Sequence, residues 1–115
     1  MKQEKLTPSA MSMDQIQEQA SSAANYLKAM SHETRLITLC NLLQGPMSVS
    51  ELEVALDAPQ ANISQHLAKL REVGLVSTKR EGKSIYYSLA DQDAMLILRV
   101  LYLKFCAENM PRPST

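Results

Sequence analysis

Cys40 and Cys106 are the two cysteines of this 115-residue chain. Two cysteines are too few for a disulfide framework, and in a reducing cytosol both would rest as thiols, so a bond between them would be conditional. Cys is among the most buried residue types, and the residues alone favour two small buried apolar side chains. Sulfur chemistry would require a lowered pKa or partial exposure of at least one thiol.

The sequence contains few residues in patterns typical of metal binding or catalysis. His66 has no Cys, His or carboxylate three or four residues away, so we predict a structural histidine bonded to backbone or phosphate. No phosphate-binding loop, nucleophile elbow or metal motif is present. We therefore expect neither an enzyme nor a bound cofactor.

A second group of side chains has the chemistry to read bases. The apolar residues Ile63, Leu67 and Leu70 share a narrow arc of a helix predicted over residues 60–73, which ends before Gly74. The opposite face offers amides and hydroxyls, which pair with base edges and phosphates in a major groove. A solvated helix face is the alternative, but the polar residues cluster in the first two turns, which favours DNA. The predicted contacts are Gln60, Asn62, Ser64, Gln65 and Lys69.

A basic hairpin follows the helix. From residue 75 the apolar pattern changes to period two, which predicts two strands over residues 75–89. Gly82 suits the turn between them, and Lys79, Arg80 and Lys83 would cluster at its exposed tip. Next to a DNA-reading helix, a basic tip is typical of a wing laid along phosphates or the minor groove.

The helix at 60–73 needs a partner helix. Ser48 and Glu51 form a capping box that opens a short helix, and Asp57, Ala58 and Pro59 break it. Residues 48–73 therefore predict a helix-turn-helix, and with the wing they predict a mainly α (α+β) winged helix-turn-helix with a two-stranded β-hairpin.

Further helices flank this unit. Ser12 with Gln15 opens a first helix whose apolar stripe packs either on its own domain or in a dimer seam, and both interpretations stay open. Ser31 is predicted to cap a second helix, which carries Cys40. Asp91 caps a final helix over residues 91–108 that is apolar nearly all round. In so small a chain that pattern indicates burial against another protomer, hence a homodimer with this helix at its centre.

The chain as a whole fits one domain over residues 12–108, with tails at 1–11 and 109–115. No stretch is apolar enough for a membrane span and no apolar leader is seen, so we expect a soluble, cytoplasmic protein. Twelve basic and twelve acidic residues cancel, yet residues 58–83 hold five Lys/Arg and two Asp/Glu. The basic excess thus lies in the predicted DNA-reading unit.

Over about residues 25–106 the chain resembles the ArsR/SmtB family of bacterial winged-helix repressors. The matching stretches are LKAMSHETRL at 27–36, SVSEL at 48–52, ISQHL at 63–67, LREVGLV at 70–76, REG at 80–82 and YYSL at 86–89. The resemblance implies a homodimer on an inverted repeat of double-stranded operator DNA, released by an inducer. It also implies base reading by Gln60, Ser64 and Gln65. Pro59 and Ala61 depart from the family, which commonly has Ser there.

Two metal sites of the family are missing. One places cysteines in an ELCVCDL pattern, where this chain has ELEVALD at 51–57. The other uses histidines in the last helix, where this chain has Asp91 and Asp93, then Lys104 and Ala107. We therefore expect no tight metal site.

The cysteine pair is similar to that of the family's persulfide-sensing subgroup. There, reactive sulfur species join two thiols by a disulfide or polysulfide, and the resemblance implies this role for Cys40 and Cys106. Arsenite, another thiophilic metal or a general oxidant acting through the same cysteines is one alternative. A winged-helix protein-interaction module without DNA binding is an alternative of another class.

Overall fold

The computed structural model describes residues 12–106, and the predicted tails and residues 107 and 108 lie outside this range. The described residues form five helices and a three-stranded antiparallel sheet. None of these helices has the length and apolar character needed to cross a membrane. In chain order the elements are α1 (Met13–Met30), α2 (Glu33–Leu42), β1 (Met47–Ser48), α3 (Val49–Leu56), α4 (Gln60–Glu72), β2 (Val76–Glu81), β3 (Ser84–Leu89) and α5 (Gln92–Phe105).

Side-chain caps begin four of the five helices. The capping boxes at Ser12 and Ser48 are both present, as predicted. Ser31 does not cap α2, however: its hydroxyl donates to the Lys28 carbonyl at 2.7 Å, at the end of α1. His32 takes the N-cap position in extended backbone, and its Nδ1 accepts from the Thr34 N–H at 3.2 Å. The prediction for Ser31 was wrong because that residue is used to end the preceding helix.

The core forms two connected groups. The larger lies between the end of α1, α2, α4, the sheet and α5, and Leu39 and Leu98 are fully buried in it. The smaller joins α3 to α4 through Leu52, Ile63 and Leu67. The predicted buried arc of α4 is confirmed, since its three leucine and isoleucine side chains are all inaccessible. Burial of each such side chain contributes about 2 kcal/mol, which fixes the orientation of α4.

The turn between α3 and α4 uses a left-handed residue. Asp57 has φ 52° and ψ 52°, and the Ala58 N–H donates to the Glu53 carbonyl at 3.3 Å. Asp is one of the few L-residues that adopt this conformation readily. Pro59 then precedes α4 in extended backbone, so the predicted helix-turn-helix geometry is confirmed.

The sheet has the strand order β1-β3-β2. In the β2–β3 hairpin, Val76 pairs with Leu89 and Thr78 with Tyr87, which places these four side chains on one face as the alternation predicts. Gly82 has φ +63° in the two-residue turn. The winged-helix fold class is confirmed, and the short strand β1, which pairs with β3, adds to the predicted two-stranded wing.

Large apolar surfaces of α1 and α5 stay uncovered within the chain. On α1 only Ala29 and Met30 are buried, so packing inside the same chain covers just the last turn of the predicted stripe. On α5 the side facing the core is buried, and the opposite side is exposed. The exposed large apolar residues of these two helices are Met13, Leu27, Leu96, Val100, Leu103 and Phe105.

Candidate nucleic-acid interface and cysteine pair

The outward face of α4 presents the predicted base-reading side chains. Gln60, Asn62, Ser64, Gln65 and Lys69 are all exposed, because the buried arc faces α3 and the core. Pro59 occupies the N-cap position of α4, and its side chain cannot accept a hydrogen bond from the first turn. Its backbone carbonyl accepts from the Asn62 and Ile63 N–H groups. An uncapped helix N-terminus favours an anion such as a DNA phosphate.

The wing carries its cations on two faces. Lys79 pairs across the hairpin with Tyr86, and Arg80 with Ile85, so consecutive side chains project to opposite sides of the sheet. Lys83 lies in the turn itself. The period of a strand separates Lys79 from Arg80, so the predicted group of cations at the exposed tip is divided between the two faces of the hairpin. Both sides of the tip are nonetheless basic, as a wing inserted between two phosphate strands requires.

Two of the candidate cations already have weak carboxylate partners. Lys69 Nζ lies 3.7 Å from a carboxylate oxygen of Glu72, and Lys79 Nζ lies 3.8 Å from one of Glu81. All four side chains are more than half exposed, and pairs of this kind contribute about 1 kcal/mol or less. Breaking these two ion pairs so that the lysines can contact DNA phosphates therefore costs little free energy.

His66 lies at the margin of the buried arc of α4, as predicted, but its neighbour is another ring. Its imidazole centroid is 4.6 Å from that of His32, with the planes tilted by 45°. Burial lowers the pKa of His66, and the positive charges of His32 and Arg35 lower it further. Neutral His66 is thus the form that the fold favours.

The cysteines lie on two helices that pack against each other. Cys40 is half-buried on α2, Cys106 is exposed at the end of α5, and both are free thiols. Burial raises the pKa of Cys40, and the negative charge of an ionised Cys106 raises it further. The exposure that sulfur chemistry requires is met most fully at Cys106, while the raised pKa of Cys40 leaves a smaller fraction of it as the thiolate.

The described residues do not group three His, Cys, Asp or Glu side chains in a way that could hold a metal ion. The rings of His32 and His66 form a two-member contact, and Nδ1 of His32 already serves as the cap of α2. A metal ion would have to compete with that hydrogen bond.

Sequence reasoning missed Arg35 and His32. The Nε of Arg35 donates to the Ala29 carbonyl at 2.6 Å, which ties α2 to the end of α1. One signal was available for His32, because it stands directly before the first turn of α2, where a side-chain acceptor is favoured. No spacing in the sequence reveals the position of Arg35 beside α4, since the two meet only through the fold.

A helix-turn-helix with an exposed polar second helix and a basic hairpin defines a winged-helix DNA-binding regulator. The chain belongs to the arsR family of bacterial regulatory proteins, whose family profile matches residues 32–78. It is 44% identical to the "Biofilm growth-associated repressor" of Agrobacterium fabrum over 97 residues, which cover 83% of each chain. Because this family and its members are transcriptional regulators, the prediction that the chain is not an enzyme is confirmed.

Solved structures agree with this assignment. Reduced HlyU from Vibrio cholerae is 36% identical, with a TM-score of 0.76 over 82% of this chain and 99% of that one. The transcriptional repressor BigR from Xylella fastidiosa is 38% identical, with a TM-score of 0.74 over 88% of this chain and all of that one. The relatives also include a protein named as a transcriptional activator, HlyU.

Proposed function

We propose that the protein is a cytoplasmic homodimeric repressor that leaves its operator when reactive sulfur species join Cys40 to Cys106. The observation that carries this proposal is the placement of the two free thiols, one on α2 and the other at the end of α5, because these two helices pack against each other. Relatives named as repressors support the sign of the regulation.

The DNA would be an inverted repeat of double-stranded operator. Two recognition helices α4 would enter successive major grooves roughly 34 Å apart, and the wings would follow the flanking backbone. The exposure of the polar face of α4 supports base contacts there, and the basic wing supports phosphate contacts. The proposed contact residues are Gln60, Asn62, Ser64, Gln65, Lys69, Lys79, Arg80 and Lys83.

The sulfur chemistry divides between the two thiols. As the exposed thiol, Cys106 would attack first: its thiolate takes the terminal sulfur of an organic persulfide RSSH and releases RS⁻. The Cys40 thiolate then attacks the Sγ of the Cys106 persulfide, which forms the Cys40–Cys106 disulfide and releases HS⁻. A second sulfur added to Cys106 before this step would leave a trisulfide instead. The raised pKa of Cys40 makes it the slower, resolving thiol.

The cross-link would act on DNA through α2. Cys40 lies on α2, which packs against both α4 and α5, so a bond to Cys106 fixes the end of α5 to the helix behind the recognition helix. In a dimer centred on α5, this changes the spacing of the two copies of α4. A coupling free energy of about 1 to 3 kcal/mol suffices for regulation.

A titration with an organic persulfide tests this function. The operator is first selected from a random duplex library with the reduced protein. The affinity of the protein for this operator is then measured before and after treatment with the persulfide. We expect a loss of roughly 5- to 150-fold in operator affinity for wild type and none for Cys106→Ser. Mass spectrometry should show an internal cross-link in wild type and an accumulated Cys106 persulfide in Cys40→Ser. Equal loss of affinity in Cys106→Ser and wild type would refute the dithiol switch, and arsenite in place of persulfide tests the metal alternative.

A further inference from the structure

A hollow of about 490 Å³ lies between the last turn of α1 and the flank of α4. Three helices each contribute one cation to its lining: Lys28 from α1, Arg35 from α2 and Lys69 from α4. A second hollow of about 380 Å³ shares Arg35 and Lys69 and adds His66 and Gln65. We refer to the two hollows together as the basic groove.

The positive charge of the basic groove is only partly compensated. Lys28 makes no ion pair within residues 12–106, and Glu72, the one carboxylate among the described lining residues, lies beside Lys69. Arg35 is half-buried and held by its Nε on the Ala29 carbonyl, and its terminal nitrogens make no hydrogen bond inside the described part of the chain. The described lining of the groove therefore holds three cations and one carboxylate, and that carboxylate is paired with Lys69.

We propose that the basic groove is a binding site for a phosphate group. A guanidinium anchored at Nε presents its remaining N–H groups as a rigid fork that matches two oxygens of one anion. The lysines add charge from two other helices, so donors approach from three sides, which suits the tetrahedral oxygens of a phosphate group better than the two coplanar oxygens of a carboxylate. The cysteine pair does not contribute to this site, and Gln65 and Lys69 are shared with the outward face of α4.

The position of the groove ties such a ligand to the reading helix. Gln65 and Lys69 lie at its α4 side, where DNA would approach, and Lys28 lies at the end of α1. The same phosphate chemistry is found in a DNA backbone and in a soluble phosphorylated molecule. Either occupant would hold α4 against α1 and α2.

Nuclear magnetic resonance of His66 reports occupancy without any DNA. A phosphate anion in the groove favours the protonated imidazole, so inorganic phosphate should raise the pKa of His66 by roughly half a unit relative to chloride at equal ionic strength. The His66→Gln variant assigns the resonance, because the chain has two histidines. The protein is kept reduced, so failure of the cysteine switch does not affect the result.

A matched pair of lysine variants locates the anion. Lys28 and Lys104 are each the basic residue in the last turn of a helix, but Lys104 does not line the groove. Lys28→Gln should lose most of the phosphate-induced shift, and Lys104→Gln should keep it.

The salt dependence of DNA binding distinguishes a phosphate of the DNA backbone from a soluble phosphorylated molecule. On a mixed-sequence duplex of about 30 base pairs, one backbone phosphate in the groove of each protomer would make the slope of log K against log salt smaller in Lys28→Gln than in Lys104→Gln, by about one for each groove and about two for the dimer. If the slope is the same in Lys28→Gln and Lys104→Gln while phosphate still raises the pKa of His66 in wild type, the ligand is a soluble phosphorylated molecule. If phosphate and chloride act alike on His66 in wild type and the slope is also unchanged in Lys28→Gln, the site does not exist.

Discussion

The imidazole of His66 lies against that of His32, and its pKa is lowered from the ordinary value of 6.5 by burial and, to a smaller extent, by the positive charges of His32 and Arg35. Protonation is therefore less favourable in the folded chain than in the unfolded one. The stability that neutral His66 contributes to the folded chain is fully present above pH 6.5. It is lost as the pH falls from 6.5 through the lower pKa that His66 has in the folded state.

Acid should therefore destabilise wild type more than His66→Gln. Urea unfolding at about pH 7.5 and about pH 5.5 measures the difference for each protein. The carboxylates that also titrate in this range are common to both proteins, so comparison with the variant removes their effect. If wild type and His66→Gln lose the same free energy of unfolding on acidification, the lowered pKa of His66 has no energetic role.

Single residues were predictable where a period decided them. The helical period of α4 is enough to place Ile63 inside and Gln65 outside, and both residues lie where that period puts them. Arg35 and Lys28 were not predictable in this way, since their shared groove depends on how three separate helices pack. The cysteine pair is an intermediate case: the resemblance to a family suggested the partners, and only the fold shows that the helices carrying them, α2 and α5, pack against each other.

At the scale of the elements, the hairpin turn of the wing depends on one glycine. Gly82 has φ +63°, and an added Cβ would meet no atom within 4 Å, so backbone strain is the only cost of a side chain there. Gly82→Ala should lower the free energy of unfolding by about 1 kcal/mol, whereas Gly82→Asn should cost less, because Asn adopts the left-handed region more readily. Urea unfolding measures both. Equal costs for Ala and Asn would show that the turn changes its conformation instead of straining.

Elements were harder to predict where they are short or where two of them meet. Strand β1 has two residues, too few for an alternation to be visible in the sequence. Both Ser31 and His32 could serve as the N-cap of α2. His32 takes that position because Ser31 is the C-cap of α1. The helix-turn-helix was predictable because a capping box marks the start of its first helix and a proline marks the turn to its second.

At the scale of the whole molecule, the uncovered apolar surface is the feature that one chain cannot explain. Such a surface on α1 and α5 matches the interface of a symmetric dimer, in which each exposed side chain is used twice. This dimer would place Cys106 at the edge of the interface and connect both copies of α4 to it through α2. The first helix, whose partner the sequence left open, would then belong to the seam along most of its length.

A charge introduced into this surface should separate the protomers. Leu103 is 64% exposed on α5, and in the dimer Leu103→Glu would bury an unpaired carboxylate in each protomer. The dimer dissociation constant should rise by roughly 100-fold or more, measured by sedimentation velocity over a range of concentrations. Val54→Glu is the matched control, because Val54 is 83% exposed on α3, away from α1 and α5. Its dissociation constant should equal that of wild type. A Leu103→Glu protein that stays folded and dimeric would place the seam elsewhere, and the cysteine at the end of α5 would lose its route to the second reading helix.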